Sequence, residues 1–166
     1  VTDPGWAGRK AVLTDRLEDK PPAVSAITLA HIMGPGDTNL YGTVHGGVVM
    51  KLIDDAAAAA AARHSGGPAV TVSVDQLNFL APAQVGDLLK VTAVVAAVGR
   101  SSLDVLTTVF AERWNRPGEE RQIVRAFLTF VAVDADGTPR TVPRLLVESS
   151  EDRAREAEAR RQRSRR

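Results

Sequence analysis

The sequence predicts an α+β domain in which one long helix lies against a strongly curved antiparallel sheet of about five to six strands. Three observations carry this expectation. A glycine-rich turn over residues 39–47 feeds a helical stretch that runs into seven consecutive alanines, Ala56 to Ala62. Four runs rich in β-branched residues follow it. The separators between those runs are far shorter than the dozen or so residues a parallel crossover needs, so the strands pair largely antiparallel. A chain of 166 residues gives one domain a proper core and is short for two. Strand, long helix and four-strand meander together make an α+β pattern.

Taken in order, residues 1–22 mix proline, glycine and charge and read as a leader, with one short helical turn around residues 11–17. Residues 23–33 carry β-branched side chains without a breaker and predict a first strand, ended by Gly34-Pro35-Gly36. In the helix, Val49, Leu52, Ile53, Ala56 and Ala60 recur at helical spacing and face a core. Lys51 and Asp55 stand four apart as a solvated pair. Asp54 falls on another face, with Gly47, Met50, Ala57, Ala58 and Ala61, where side chains are apolar or nearly absent. Basic residues on the last turn, then Gly66-Gly67-Pro68, stop the helix.

Strand-like runs follow at residues 69–80, 88–98, 103–114 and 122–133. Pro82 with Gly86-Asp87, then Gly99-Arg100, then Asn115-Arg116-Pro117-Gly118 separate them as turns. The folded domain is expected to span residues 23–146. Residues 147–166 form an Arg-rich tail with helical propensity and little apolar face, expected as a partly frayed helix.

Composition narrows the function classes. Hydrophobic residues make up 44% and charged residues 25% of the chain, as in globular domains. Without cysteine there is no disulfide, thiolate metal site or cysteine nucleophile, and a reducing cytoplasm is expected. The net charge of +1 hides a basic tail and a slightly acidic body, which argues against a nucleic-acid partner. No run approaches the ~18 apolar residues of a membrane span, so no membrane partner is expected. P-loop, dinucleotide and G-x-S-x-G serine motifs are absent, and His31, His45 and His64 lack metal-ligand spacing. No metal and no cofactor are expected.

Chemistry concentrates at the helix start. Gly46 and Gly47 bring bare backbone amides to a helix N-terminus, where the dipole favours negative charge, with His45 beside them. Asp54 lies two turns on, and a carboxylate on an apolar face is a candidate base. The bland readings are close helix packing for the glycines, a loop-orienting role for His45 and a capping or pairing role for Asp54.

Residues 42–55, with Asp37-Thr38-Asn39 upstream, resemble the helix-start motif of hotdog-fold acyl-CoA thioesterases, in the cytosolic acyl-CoA hydrolase group that holds bacterial single-domain and brain-type enzymes. Further matching blocks are residues 70–80, Pro82, Val85-Gly86-Asp87, Gly99-Arg100-Ser101-Ser102, residues 125–133 and residues 139–143. The resemblance implies hydrolysis of acyl-CoA to a carboxylic acid and CoA at a subunit interface. Coenzyme A is then part of the substrate, and the assembly a homo-oligomer, a dimer at least and a trimer of dimers in this group. It puts Asp54 in the role of general base or nucleophile and the Gly46-Gly47 amides, with His45, at the thioester carbonyl. It puts Arg100, Ser101, Ser102 and Arg140 along the CoA portion. Where the family commonly has Asp or Asn immediately before the Val-His-Gly-Gly turn, this sequence has Thr43. Three options stay open: Thr43 substitutes weakly, Asn39 takes the positioning role, or activity is low. The alternative function is a non-hydrolytic acyl-CoA or acyl-ligand binding module on the same fold, and a weaker one is docking of the Arg-rich tail onto acidic partners.

Overall fold

Two residues with special backbone roles delimit the central helix. His45, extended at φ −67°, ψ 126°, caps the start by accepting a hydrogen bond from the Gly47 N–H, and Gly66 closes the end in the left-handed region at φ +74°. In the computed structural model, which describes residues 17–165, the elements are α1 (Pro22–Ser25), β1 (Ile27–Ile32), a 3-10 turn (Pro35–Asp37), α2 (Gly46–Ser65), β2 (Ala69–Phe79), β3 (Asp87–Val98), β4 (Ser102–Arg113), β5 (Arg116–Ala132) and α3 (Ser150–Arg163). The helical turn expected around residues 11–17 lies, apart from Leu17, outside the described residues.

The five strands form one antiparallel sheet in the order β1-β3-β4-β5-β2. The long helix and curved antiparallel sheet are as expected. Ala56, Ala57, Ala60 and Ala61 of α2 are fully buried, so the helix is a thin cylinder that the sheet approaches closely. Alternate residues of the central strands close over it, among them Leu89, Val91 and Val95 of β3, Leu103 and Val105 of β4, and Leu128 and Phe130 of β5. Each large side chain buried there contributes about 1.5–3 kcal/mol.

Four expectations are corrected. The first strand is shorter than residues 23–33. Pro22 sits at the first position of a helical turn, and the buried Ser25 hydroxyl lies 3.3 Å from the ring of His64, so strand geometry begins only at Ile27. The four later strands are not a simple meander, because β2 pairs with β5 and lies on the far edge of the sheet from β1. The turn expected at residues 115–118 is instead the two residues Trp114-Asn115. Pro117 and Gly118 fall inside β5, with Gly118 at φ +100° donating its N–H to Glu112 at 3.2 Å.

The fourth correction concerns the tail. Helix α3 is capped by a reciprocal pair between Ser149 and Asp152 and docks on the outer face of the sheet. Its single buried apolar residue, Ala159, packs against Ala96, Ala97, Leu106 and Phe127. One methyl group contributes under about 1 kcal/mol, so polar contacts hold the helix as well. Arg163 pairs with Asp104 at 2.7 Å, Arg125 with Glu158, and Gln162 with Gln76 at 2.7 Å. The Asp104 side chain is 3% exposed, so losing the Arg163 guanidinium would strand a buried carboxylate.

Candidate active site

The loop before α2 is a small hairpin built by its own side chains. Thr38 bridges to Val44, and the Asn39 N–H donates to the Thr43 carbonyl at 2.8 Å. The Asn39 amide nitrogen donates to the Thr43 hydroxyl at 2.8 Å, while its oxygen accepts from the backbone N–H of Tyr41 at 2.8 Å. Asn39 and Thr43 are therefore one unit, and Leu40 and Tyr41 stand exposed at the tip.

Of the helix-start amides, Gly47 is already engaged, donating to His45 Nδ1 at 2.9 Å. Val48 donates to the His45 carbonyl at 2.9 Å. The Gly46 amide has no partner among the described residues, and it borders a cavity shared with Thr43 and Phe79. His45 is thus a helix cap, and the donor turned outward at the helix start is Gly46 alone.

Asp54 is half-buried, and its Oδ1 accepts a hydrogen bond from Thr71 Oγ1 of β2 at 2.8 Å. Its Oδ2 has no partner among the described residues. Its helix face divides along its length: Gly47 and Met50 are exposed, whereas Ala57 and Ala61 are buried. Sequence reasoning missed Thr71. The only signal was its place in an alternating strand, because the pairing itself is tertiary. Lys51 and Asp55 do form the solvated pair, at 2.6 Å.

At 1.5 Å rise per residue, Gly46 and Asp54 are about 12 Å apart along one helix. A carbonyl bound at one cannot be reached by a water held at the other, since each contact spans about 3 Å. Within one protomer the structure does not bring the amide and the carboxylate together.

The expected CoA-binding residues separate as well. Arg100 is exposed at the β3–β4 turn, and its guanidinium has no partner among the described residues. Ser101 accepts the Ala132 N–H through its carbonyl at 2.8 Å. The Ser102 hydroxyl accepts from Arg163 at 3.1 Å. Arg140 is committed to the fold: it donates to the Ser65 carbonyl at 2.8 Å, the Ser65 hydroxyl at 3.1 Å and the Val133 carbonyl at 3.1 Å. That places Arg140 as a lock on the C-terminal end of α2, with few donors left for a phosphate. No cluster of three or more His, Cys, Asp or Glu stands ready for a metal ion among the described residues, and none of their helices is long and apolar enough to cross a membrane.

A long central helix wrapped by a five-stranded antiparallel sheet is the architecture of a hotdog-fold protein. Residues 41–115 match the family model for the thioesterase superfamily. The chain is 38% identical over 118 residues to an uncharacterised acyl-CoA thioester hydrolase of Bacillus subtilis, covering 71% of this chain and 68% of that one. It is 33% identical over 142 residues to the mouse cytosolic acyl coenzyme A thioester hydrolase, 84% of this chain but only 37% of the mouse enzyme's length. Among solved structures, an apo-hexameric acyl-CoA thioesterase superposes with a TM-score of 0.85 at 32% identity, over 90% of this chain and 95% of that one. An acyl-CoA hydrolase of Staphylococcus aureus, in complex with butyryl coenzyme A, coenzyme A and coenzyme A disulfide, superposes with a TM-score of 0.82 at 32% identity, over 88% of each chain. Alanine variants of that S. aureus enzyme at an aspartate, an asparagine and a threonine have also been solved. The chain belongs to the thioesterase superfamily, in the acyl-CoA hydrolase group that these relatives represent.

Proposed function

We propose that this protein is an acyl-CoA thioesterase that hydrolyses acyl-CoA to a carboxylic acid and CoA, at a site built from two copies of the chain. The observation that carries the reading is the separation of Gly46 from Asp54. Each protomer offers an unused amide at the helix start and a half-exposed carboxylate about 12 Å further on, so a second copy must supply one of them. The edge strand β2 supports the same assembly, since Val70, Val72 and Val74 are exposed beside the Asp54–Thr71 pair. Two β2 edges meeting would cover these side chains and pair the edge. The solved hexameric relatives make a trimer of such dimers the assembly proposed, and the cytoplasm is its proposed location.

In this scheme the thioester oxygen lies against the Gly46 N–H of one subunit, where developing negative charge meets an oriented donor and the helix dipole. Asp54 of the other subunit takes a proton from water through Oδ2. The resulting hydroxide adds to the carbonyl carbon, the C–S bond breaks, and CoA leaves as a thiolate that needs little acid assistance. Direct attack by Asp54 through a mixed anhydride uses the same geometry. Thr71 fixes the carboxylate by donating to its other oxygen. In the S. aureus enzyme the substituted asparagine precedes the substituted aspartate by fifteen residues and the threonine follows it by seventeen. Asn39, Asp54 and Thr71 have the same two spacings. This favours Asn39 as the positioning group, with the Thr43 hydroxyl as its support. Arg100 is the proposed contact for CoA phosphate, where a guanidinium fork suits the anion.

A panel of acyl-CoAs with free thiol as readout tests the reading. Hydrolysis by the wild type and a roughly 10³-fold loss on Asp54→Asn, with CoA still bound, is the expected result. Undiminished hydrolysis by the variant would rule the mechanism out. The second reading, ligand binding without turnover, is favoured by one observation, the engagement of the Gly47 amide by His45. It predicts CoA binding with no thiol release at any chain length.

A further inference from the structure

Gly46 forms part of the wall of a cavity of about 310 Å³, and Val44, Val49, Phe79 and Ile123 supply much of the remainder. We propose that this cavity receives the acyl chain of the substrate, and that Ala81 and Ala83 set the chain length it accepts; the assignment rests on the thioesterase reading above.

Chemistry, position and rigidity each support it. No charged side chain lines the cavity, and its one polar side chain, Thr43, is held by the Asn39 amide. A carbonyl bound at the Gly46 N–H would send its tail into this apolar space and its sulfur outward, toward the partner's carboxylate. Two contacts hold parts of the wall. The Ala83 carbonyl accepts the Val44 N–H at 2.9 Å, which clamps the β2–β3 link to the loop before α2. The Phe79 ring stands so close to the helix start that a Cβ on Gly46 would meet it at 3.3 Å. The volume is at the low end of the ~300–1,000 Å³ typical of small-molecule sites. A water fills roughly 30 Å³ in the liquid, and a methylene has similar bulk, so a chain of about ten carbons fills the space. The alanines at positions 81 and 83 keep it that deep.

The experiment compares wild type, Ala81→Leu and Ala83→Leu on saturated acyl-CoAs of two to sixteen carbons. For the wild type, kcat/KM should rise about fourfold per methylene and level off near ten carbons. The leucine variants should level off about three carbons earlier, lowering the decanoyl-to-butyryl ratio by roughly 50-fold. Ala83 is buried, so if its variant does not fold, Ala81→Leu at a partly exposed position decides. Calorimetric binding of the same acyl-CoAs to Asp54→Asn, with and without each leucine, separates this inference from hydrolysis. Affinity that climbs with chain length and is cut short by leucine supports the pocket even if the wild type releases no thiol. Hydrolysis or binding with an unaltered chain-length profile in a folded leucine variant overturns the pocket and leaves the thioesterase standing.

Discussion

At its C-terminal end α2 meets polar partners from across the chain, whereas at its N-terminal end donors and acceptors are left over. Arg140 and Lys20 take the terminal carbonyls, at 2.8 Å to Ser65 and 2.9 Å to His64, and His64 itself is buried between Ser25 and the Pro143 carbonyl. The Gly46 amide, by contrast, lies beside a cavity without a partner among the described residues, and one oxygen of Asp54 likewise has none. One end is finished by the protomer and carries stability. The other, in the proposed reading, is completed by a substrate and a second copy. Changes at the open end should therefore alter rates with little effect on melting, and changes at the closed end the reverse.

After Asp54→Asn, the largest expected effect comes from Gly46→Pro. Proline removes the N–H yet suits the first helical position, and His45 already has the extended geometry that a following proline needs. The Phe79 ring, which a Cβ at position 46 meets at 3.3 Å, is half-exposed and need give only a few tenths of an ångström. Loss of the donor should lower kcat about 10²–10³-fold. Mixed dimers with Asp54→Asn should regain part of the wild-type rate, because one of their two sites is intact. Mixtures no more active than either parent would mean that both groups act within one subunit.

Thr71→Ala should come next, with a fall in kcat of about tenfold to a hundredfold, the worth of a hydrogen bond to a charged group. Thr71→Ser should restore most of it, and steady-state kinetics would show whether KM stays put. At the closed end, Arg140→Ala should cost about 2–3 kcal/mol through three lost hydrogen bonds and lower Tm by roughly 5–10 °C. If its KM for acyl-CoA rises instead while Tm holds, Arg140 contacts substrate after all.

The smallest effect is a pH dependence. Burial pushes the His64 ring below its ordinary value of 6.5, against the raising effect of its bond to the Pro143 carbonyl, and the Lys20 charge adds to the lowering. The unfolded chain then binds a proton that the folded chain resists. Stability is fully present above about pH 6.5 and declines as pH falls toward the lower folded value. Denaturant midpoints measured across that window should slope less in His64→Gln.

How much of this was legible in the sequence depended on how local each cause is. The ends of α2 were readable because Gly46-Gly47 and Gly66 act within one turn, and the strand runs because their β-branched residues are contiguous. Strand order was not, since the pairing of β2 with β5 joins residues some fifty apart. Pro117 and Gly118 carried a turn signal that tertiary pairing overrode, while Trp114-Asn115 made the turn. The bonds of Thr71 and Arg140 were not legible for the same reason: one meets Asp54, and the other meets Ser65, only after the sheet has closed. Helix α3 looked unanchored because a single alanine and a few ion pairs leave no periodic apolar stripe to read.

The Asp104–Arg163 pair has a consequence for synthesis. Strand β4 leaves the ribosome roughly sixty residues before its countercharge, several seconds at about 5–20 residues per second. During that interval the nascent sheet holds an acidic side chain on an outer face that nothing yet covers, and until Arg163 emerges water must supply the contact that the guanidinium later takes over.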